Sequence, residues 1–256
     1  MFAYVTYLGQ SILHELRLHN NNNSSNNNGY HYERDSVRRD DEVMRKESSR
    51  RDSSNKSRVD DGSLKILIVY LDGHEHSMAM AEEVRRGASN SSGSVKGKVQ
   101  VKVMTTLNAT FQDVLECHGL VLGSPVYNAN VHPQLQSWIN NEWDIRHRLQ
   151  WKVGGVFVTA GGISAGEELT MLSLQRNLQI FEMIVVGGKT WTSAFGASAI
   201  TYEPPFGHNN NNNNCFSNKD HGLIHSMFLK KAYQLGQRVA DVSYTIQQGQ
   251  HTSSSS

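Results

Sequence analysis

The sequence predicts an α/β protein: a doubly wound, five-stranded parallel sheet in the order 2-1-3-4-5, with helices on both faces. Three observations predict it. Gly119 to Gly123 is an apolar run without polar interruption, as a strand buried on both faces requires, and Leu64 to Leu71 is a hydrophobic run broken only by Lys65. Segments of helical spacing alternate with such runs, so each helix must return the chain to the same end of the sheet. The strands also end in glycine-rich or polar loops, which is where an open α/β sheet holds its ligand.

Taken in order, Leu64 to Leu71 is the first strand, following a Gly-Ser break. Ser77 to Ala88 reads as a helix that buries Met80, Ala81 and Val84, with Gly87 near its end. Val99 to Met104 alternates Val99, Val101 and Val103 with Gln100 and Lys102, the period of an edge strand with one covered face. Asn108 and Thr110 are candidate caps for a short helix from Phe111 to Glu116. Gly119 to Gly123 is then a third strand, ended by Ser124 and Pro125, and Gln134 to Ile139 resumes with Leu135 and Trp138 on one helical face.

The second half repeats the alternation. Val153 to Thr159 is a fourth strand, followed by the loop Ala160 to Gly166 and a helix from Glu167 to Gln179. Met183 to Val186 makes the fifth strand. Trp191 to Asn218 reads as a long irregular connection containing Pro204, Pro205 and the run Asn209 to Asn214. The last helix, about His221 to Ser243, offers Leu223, Met227, Ala232, Leu235 and Val239 to one stripe. In the order 2-1-3-4-5 the loops Asp72 to Ser77, Val126 to Asn130 and Ala160 to Gly166 gather at one rim.

Composition narrows the classes. The 256 residues carry a net charge of +1, which provides no electrostatic footprint for nucleic acid. Residues 1–63 are expected to form a disordered extension. Their asparagine, serine and charge content buries too little apolar area to offset chain entropy, although Met1 to Leu18 is apolar enough for a local helix. Residues 64–246 are expected to form the domain, with an asparagine-rich insert at about 207–219, and 247–256 a disordered tail. No run reaches the roughly 18 apolar residues of a membrane span, and no signal-peptide pattern is present. Two cysteines, Cys117 and Cys215, make no disulfide framework, so a reducing, cytoplasmic setting is expected.

Three segments carry a resemblance: KILIVYLDGHEHSMAMAEEVRRGA, GLVLGSPVYNANVHPQLQSWI, and FVTAGGISAGEELTMLSL followed by MIVVGG. Together they resemble flavodoxin-like FMN proteins, and most closely the NAD(P)H:quinone oxidoreductases of the WrbA type and the related NADPH-dependent FMN reductases. The resemblance covers Leu64 to about Gly187, and the final helix around Tyr233 to Val239 fits as well.

It implies FMN as cofactor, NAD(P)H as cosubstrate, a quinone or similar small acceptor, and homo-oligomerisation. The FMN phosphate would lie on the loop Asp72, Gly73, His74, Glu75, His76 and Ser77, because helix-terminal N–H groups and the helix dipole favour an anion there. Ser77 is a candidate N-cap or phosphate ligand. Asp72 stands where the family usually has Ser or Thr, and Glu75 where it usually has Gly. The flavin ring would meet Pro125, Val126, Tyr127, Asn128, Ala129 and Asn130, with Tyr127 either stacking on the ring or merely covering the sheet rim; Ala129 replaces a frequent glycine. Thr159, Ala160, Gly161, Gly162, Ile163 and Ser164 would lie along its other side. WrbA-type enzymes tend to have a histidine pair before the fifth strand; Ile180 and Phe181 stand there, so no role of those histidines transfers.

No catalytic side chain is implied, since the chemistry belongs mainly to the cofactor. His74, Glu75 and His76 also invite a metal reading, but the neighbouring sequence supplies no further ligand, and solvated loop histidines are the plainer reading. Two other functional classes stay open: a flavodoxin-like electron carrier, and a flavin-free binding module with Asp72 and Glu75 as its signature.

Overall fold

Leu64–Tyr70 forms β1 of the computed structural model, and every residue in it except Lys65 is buried. The structure describes residues 62–91, 99–141, 148–206, 215–216 and 224–253. The expected amino-terminal extension and most of the asparagine-rich insert therefore lie outside the described residues. Side chains alternate along a strand. Accordingly Ile66 and Ile68 join one apolar core and Leu67 and Val69 the other. Each such aliphatic side chain contributes about 1.5 to 3 kcal/mol on full burial.

After β1 come α1 (Glu75–Ser89), β2 (Val99–Thr105), α2 (Phe111–Glu116) and β3 (Gly119–Tyr127). Of the two candidate caps for α2, Thr110 closes a capping box with Asp113. The chain continues through β4 (Asn130–Val131), α3 (Pro133–Asn140), β5 (Val153–Ala160), α4 (Glu167–Ile180), β6 (Ile184–Val185), β7 (Ala197–Ile200), β8 (Cys215–Phe216), β9 (Ile224–His225) and α5 (Ser226–Ser253). The principal path through the sheet is β2-β1-β3-β5-β6, all parallel, which is the expected order once the short β4 is set aside. Helices α1 and α5 cover one face, and α2, α3 and α4 the other.

Several boundaries differ from the sequence reading. The fifth sheet position is split: β6 pairs with the start of β5 at Val153 and Gly154, and β7 with its end at Phe157 to Ala160. The intervening residues fold out, with Gly188 N donating to Ser193 O at 2.7 Å. Ala197-Ser198-Ala199-Ile200 was expected within an irregular connection, because a four-residue stretch of small side chains carries little strand signal. Ser124 and Pro125 do not end β3. The strand runs to Tyr127, where the antiparallel partner β4 supports its last residues.

The closing helix α5 continues past Ser243 and through Gly249 to Ser253, with Ser243 and Gln247 buried. A glycine inside a helix costs only about 1 kcal/mol, which the packing of the preceding turns offsets. Its buried stripe is Phe228, Ala232, Leu235, Val239 and Ala240, while Met227 is exposed and Leu223 lies outside the described residues. Among the described residues no helix is long and apolar enough to cross a membrane.

Candidate functional site: a rim of three loops

Helix α1 begins one residue after His74, whose extended backbone makes it the N-cap but whose side chain makes no capping bond. The first intrahelical bond runs from Met78 N to His74 O at 3.0 Å. The amides of the first turn therefore open toward the rim without a side-chain cap across them, and the helix dipole adds partial positive charge. Gly73 turns the chain into this helix at φ 78°, a left-handed value that glycine adopts without strain. Asp72 and Glu75 are both exposed.

Ser77 does not serve as the cap. It sits in the first turn, fully buried, with Oγ 3.2 Å from Thr159 Oγ1, and that bond ties the first loop to the end of β5. Its hydroxyl is shared with Thr159 because residue 77 falls on the inward face of α1. Ala160 is also buried, and its carbonyl accepts both Thr201 N and Thr201 Oγ1. These three residues brace the rim from below.

The second loop is a hairpin of two residues. Asn128 and Ala129 have φ 49° and 59°, the paired positive values of a type I′ turn, between Tyr127 and Asn130. Alanine bears that backbone at a steric cost that the frequent family glycine would avoid. Ser124 Oγ pins the hairpin by donating to Pro125 O at 2.7 Å and accepting His132 N at 3.1 Å. Pro125 and Val126 are half-buried, and Tyr127, Asn128, Ala129 and Asn130 are exposed. The Tyr127 ring meets the edge of the His132 imidazole at 4.9 Å, and His132 meets His74 at 5.9 Å. Burial, aided by nearby His74, holds the His132 pKa below its ordinary value.

The third loop follows β5. Gly161 O accepts Tyr202 N and Glu203 N at 3.1 and 2.9 Å, and the Glu203 carboxylate accepts Ile163 N. A side chain at Gly162 would meet that carboxylate at 2.7 Å. Ser164, at φ 60°, donates its N–H to the Glu167 carboxylate at 3.0 Å. The three loops touch one another: Ser77 reaches Thr159, His74 reaches His132, and a Cβ at Gly166 would lie 2.5 Å from Ala129 Cα.

His132, Tyr202 and Glu203 belong to this rim, and the sequence reading missed them. His132 had a readable signal, since a residue before proline at a helix start is a capping position, and its Nδ1 accepts Gln134 N at 3.3 Å. Tyr202 and Glu203 had none, because they follow the unread strand β7. The Tyr202 ring stands 5.7 Å from His76. Among the described residues no group of three or more His, Cys, Asp or Glu is arranged to hold a metal ion.

The arrangement therefore offers backbone donors at a helix start, carbonyls and amides from two tight loops, and the exposed rings of Tyr127 and Tyr202. These groups suit a flat, anion-tailed ligand rather than side-chain acid–base catalysis. Residues 77–198 match the family model described as NADPH-dependent FMN reductase. A flavodoxin of Clostridium saccharobutylicum is 26% identical over 125 residues, which is 49% of this chain and 74% of that protein. The crystal structure of a WrbA-like flavodoxin from Agrobacterium tumefaciens superposes with a TM-score of 0.51 at 17% identity, covering 72% of this chain and 99% of that one.

The chain carries a flavodoxin-like domain. An NAD(P)H dehydrogenase (quinone) of Afipia carboxidovorans is also similar to it, at 25% identity over 160 residues, 56% of this chain and 80% of that protein. Within the flavodoxin-like domain, the three touching loops lie at the carboxyl ends of β1, β3 and β5, beside the position where the strand order reverses.

Proposed function

We propose that this domain binds FMN at the rim and transfers electrons from NAD(P)H to a quinone or similar small acceptor. The observation that carries the reading is the start of α1, which lacks a side-chain cap and sits beside two loops with exposed backbone. The residues fit the group. Asp72 and Glu75 are exposed, so water screens their charge, and the buried hydroxyls of Ser77 and Thr159 hold the first loop in place.

When bound, FMN supplies hydride acceptance and two-electron delivery. The amides of Glu75 to Ser77 would hold its phosphate, Tyr127 would pack against its ring, and the backbone of Gly161 to Ser164 would meet the ring edge. Glu203 and Tyr202 keep that third loop in one conformation. Pyridine nucleotide and acceptor would use the same ring face in turn, and a homo-oligomer in a reducing cytoplasm completes the proposal.

Titration of FMN into apoprotein, followed by flavin fluorescence, is expected to saturate at one per chain. The loaded protein is expected to reduce benzoquinone with NADH or NADPH faster than free FMN does. Saturation without that rate would leave the electron-carrier reading. The carboxylates Asp72, Glu75 and Glu203 at one rim favour the flavin-free module as the second reading, and colourless protein after refolding with excess FMN would select it.

A further inference from the structure

The opposite end of the sheet, where β3 and β5 begin, holds a cavity of about 110 Å³. His118, Arg148, Trp151, Lys152, Ser243 and Gln247 line it. A single water needs roughly 10 to 15 Å³ on the same measure, so the space accommodates a group with several heavy atoms.

Its polar groups are donors. Lys152 Nζ gives two of its three N–H bonds to the carbonyls of Leu115, at 2.9 Å, and Cys117, at 2.5 Å. His118 Nδ1 accepts Lys65 N at 3.0 Å, so the imidazole proton sits on Nε2. That nitrogen lies 3.3 Å from the Gln247 amide. A donor there calls for the amide oxygen as acceptor, so the Gln247 amide is assigned with its oxygen toward the imidazole and its NH₂ on the far side. Ser243 is 3% exposed, and its Oγ, without a hydrogen-bond partner among the described residues, is turned toward Gly119 between Ile66 and Val239 rather than into the cavity.

Charge points the same way. Burial lowers the Lys152 pKa, the Cys117 thiol opposes that shift and the Arg148 charge adds to it, so the site disfavours the ammonium until an anion binds beside it. Two cations thus face one cavity, and no carboxylate is among its described lining residues. At the lip, Trp151 is 59% exposed and carries φ 72°, a left-handed conformation that a bulky residue rarely adopts. Such strain is concentrated at binding positions, and here it presents the indole at the mouth of a donor-lined space.

We propose that this cavity is a binding site for a small oxyanion of the phosphate class, separate from the three-loop rim. Arg148 and Lys152 supply the charge, and the Gln247 amide supplies a neutral donor. A free phosphate ion and the terminal phosphate of a small monoester share this chemistry. The proposal is independent of flavin binding, because no residue of the cavity belongs to the rim.

The test uses the full chain and inorganic phosphate, with the Trp151 indole resonance as the readout, before and after addition of excess FMN. A saturable shift is expected with a Kd on the order of 1 mM or tighter, unchanged by FMN. Arg148→Gln, at an exposed position, is expected to weaken binding at least tenfold. Glycerol 2-phosphate competing as well as phosphate would assign the site to monoesters, and phosphate alone would assign it to the free ion; both support the proposal. Absence of a saturable Trp151 shift, loss of the shift when FMN is added, or equal affinity in Arg148→Gln would overturn it.

Discussion

Ser77 Oγ and Thr159 Oγ1 lie 3.2 Å apart, both buried, and join the first turn of α1 to the last residues of β5. This contact fixes the distance between two of the three loops at the rim. Ser77→Ala strands the Thr159 hydroxyl and is expected to destabilise the domain by about 1 to 3 kcal/mol. Adding Thr159→Val should recover part of that loss, because both polar groups are then gone. Urea unfolding of the four members of the cycle measures the coupling, and additive losses would mean that the two hydroxyls act separately.

Asp72 and Glu75 stand beside the proposed phosphate position, and both are exposed. A carboxylate about 4 Å from a phosphate charge costs roughly 1 kcal/mol in water. Asp72→Ser with Glu75→Gln is therefore expected to tighten FMN binding by roughly five- to tenfold at low salt. The gain should shrink above about 0.1 M salt, where the screening length falls to about 10 Å. Unchanged affinity at low salt would show that both carboxylates turn away from the phosphate.

His132 has its pKa depressed, by burial first and by the neighbouring His74 second. The folded state consequently takes up its proton at lower pH than the unfolded chain, whose histidines titrate near the ordinary value of about 6.5. Between the depressed value and that ordinary one, the unfolded state binds more protons. Stability is then complete above about pH 6.5 and declines as pH falls toward the folded value. His132→Asn keeps a capping side chain and removes the titration. The variant should lose less Tm than the parent between pH 7.5 and 5.5, and equal losses would remove His132 from the pH response.

The sheet was legible because its buried strands are long apolar runs, as at Leu64–Tyr70 and Val153–Ala160, and because Thr110 before Phe111 is a recognisable cap. Strand β7 was not, since Ala197 to Ile200 derives its strand character from pairing with Phe157 to Ala160. Missing β7 also hid Tyr202 and Glu203, whose place on the rim depends on where that strand ends. Tertiary pairing likewise carried β3 through Pro125, a residue that by itself reads as a strand end. The first loop could be located from order and spacing alone, but the burial of Ser77 depended on which face of α1 meets the sheet.

Gly236 of α5 packs against α1 so closely that a Cβ there would sit 2.0 Å from Val84 O. Gly249, in the same helix, has nothing within 4 Å of that position. Gly236→Ala is expected to cost about 2 kcal/mol or more, because backbone atoms must separate and the helix-propensity gain of at most about 1 kcal/mol does not offset this. Gly249→Ala should instead stabilise by about 0.5 to 1 kcal/mol. Thermal unfolding of the two variants should shift Tm in opposite directions. Equal shifts would contradict close contact between α1 and α5.

Glu203 accepts Ile163 N, while its own N–H and that of Tyr202 both go to Gly161 O, so one short segment after β7 holds the third loop at three points. Glu203→Ala removes the side-chain tie and leaves the two backbone bonds. Because the carboxylate is exposed, the stability loss should stay near 1 kcal/mol. Hydrogen exchange at the Ile163 amide should nevertheless rise, since its acceptor is gone. A looser loop must be ordered when FMN binds, so affinity is expected to fall roughly three- to tenfold in Glu203→Ala and to stay near the parent's in Glu203→Gln, whose amide oxygen still accepts. Tighter FMN binding in Glu203→Ala would reverse the assignment, because the carboxylate would then be competing with the flavin for the Ile163 donor.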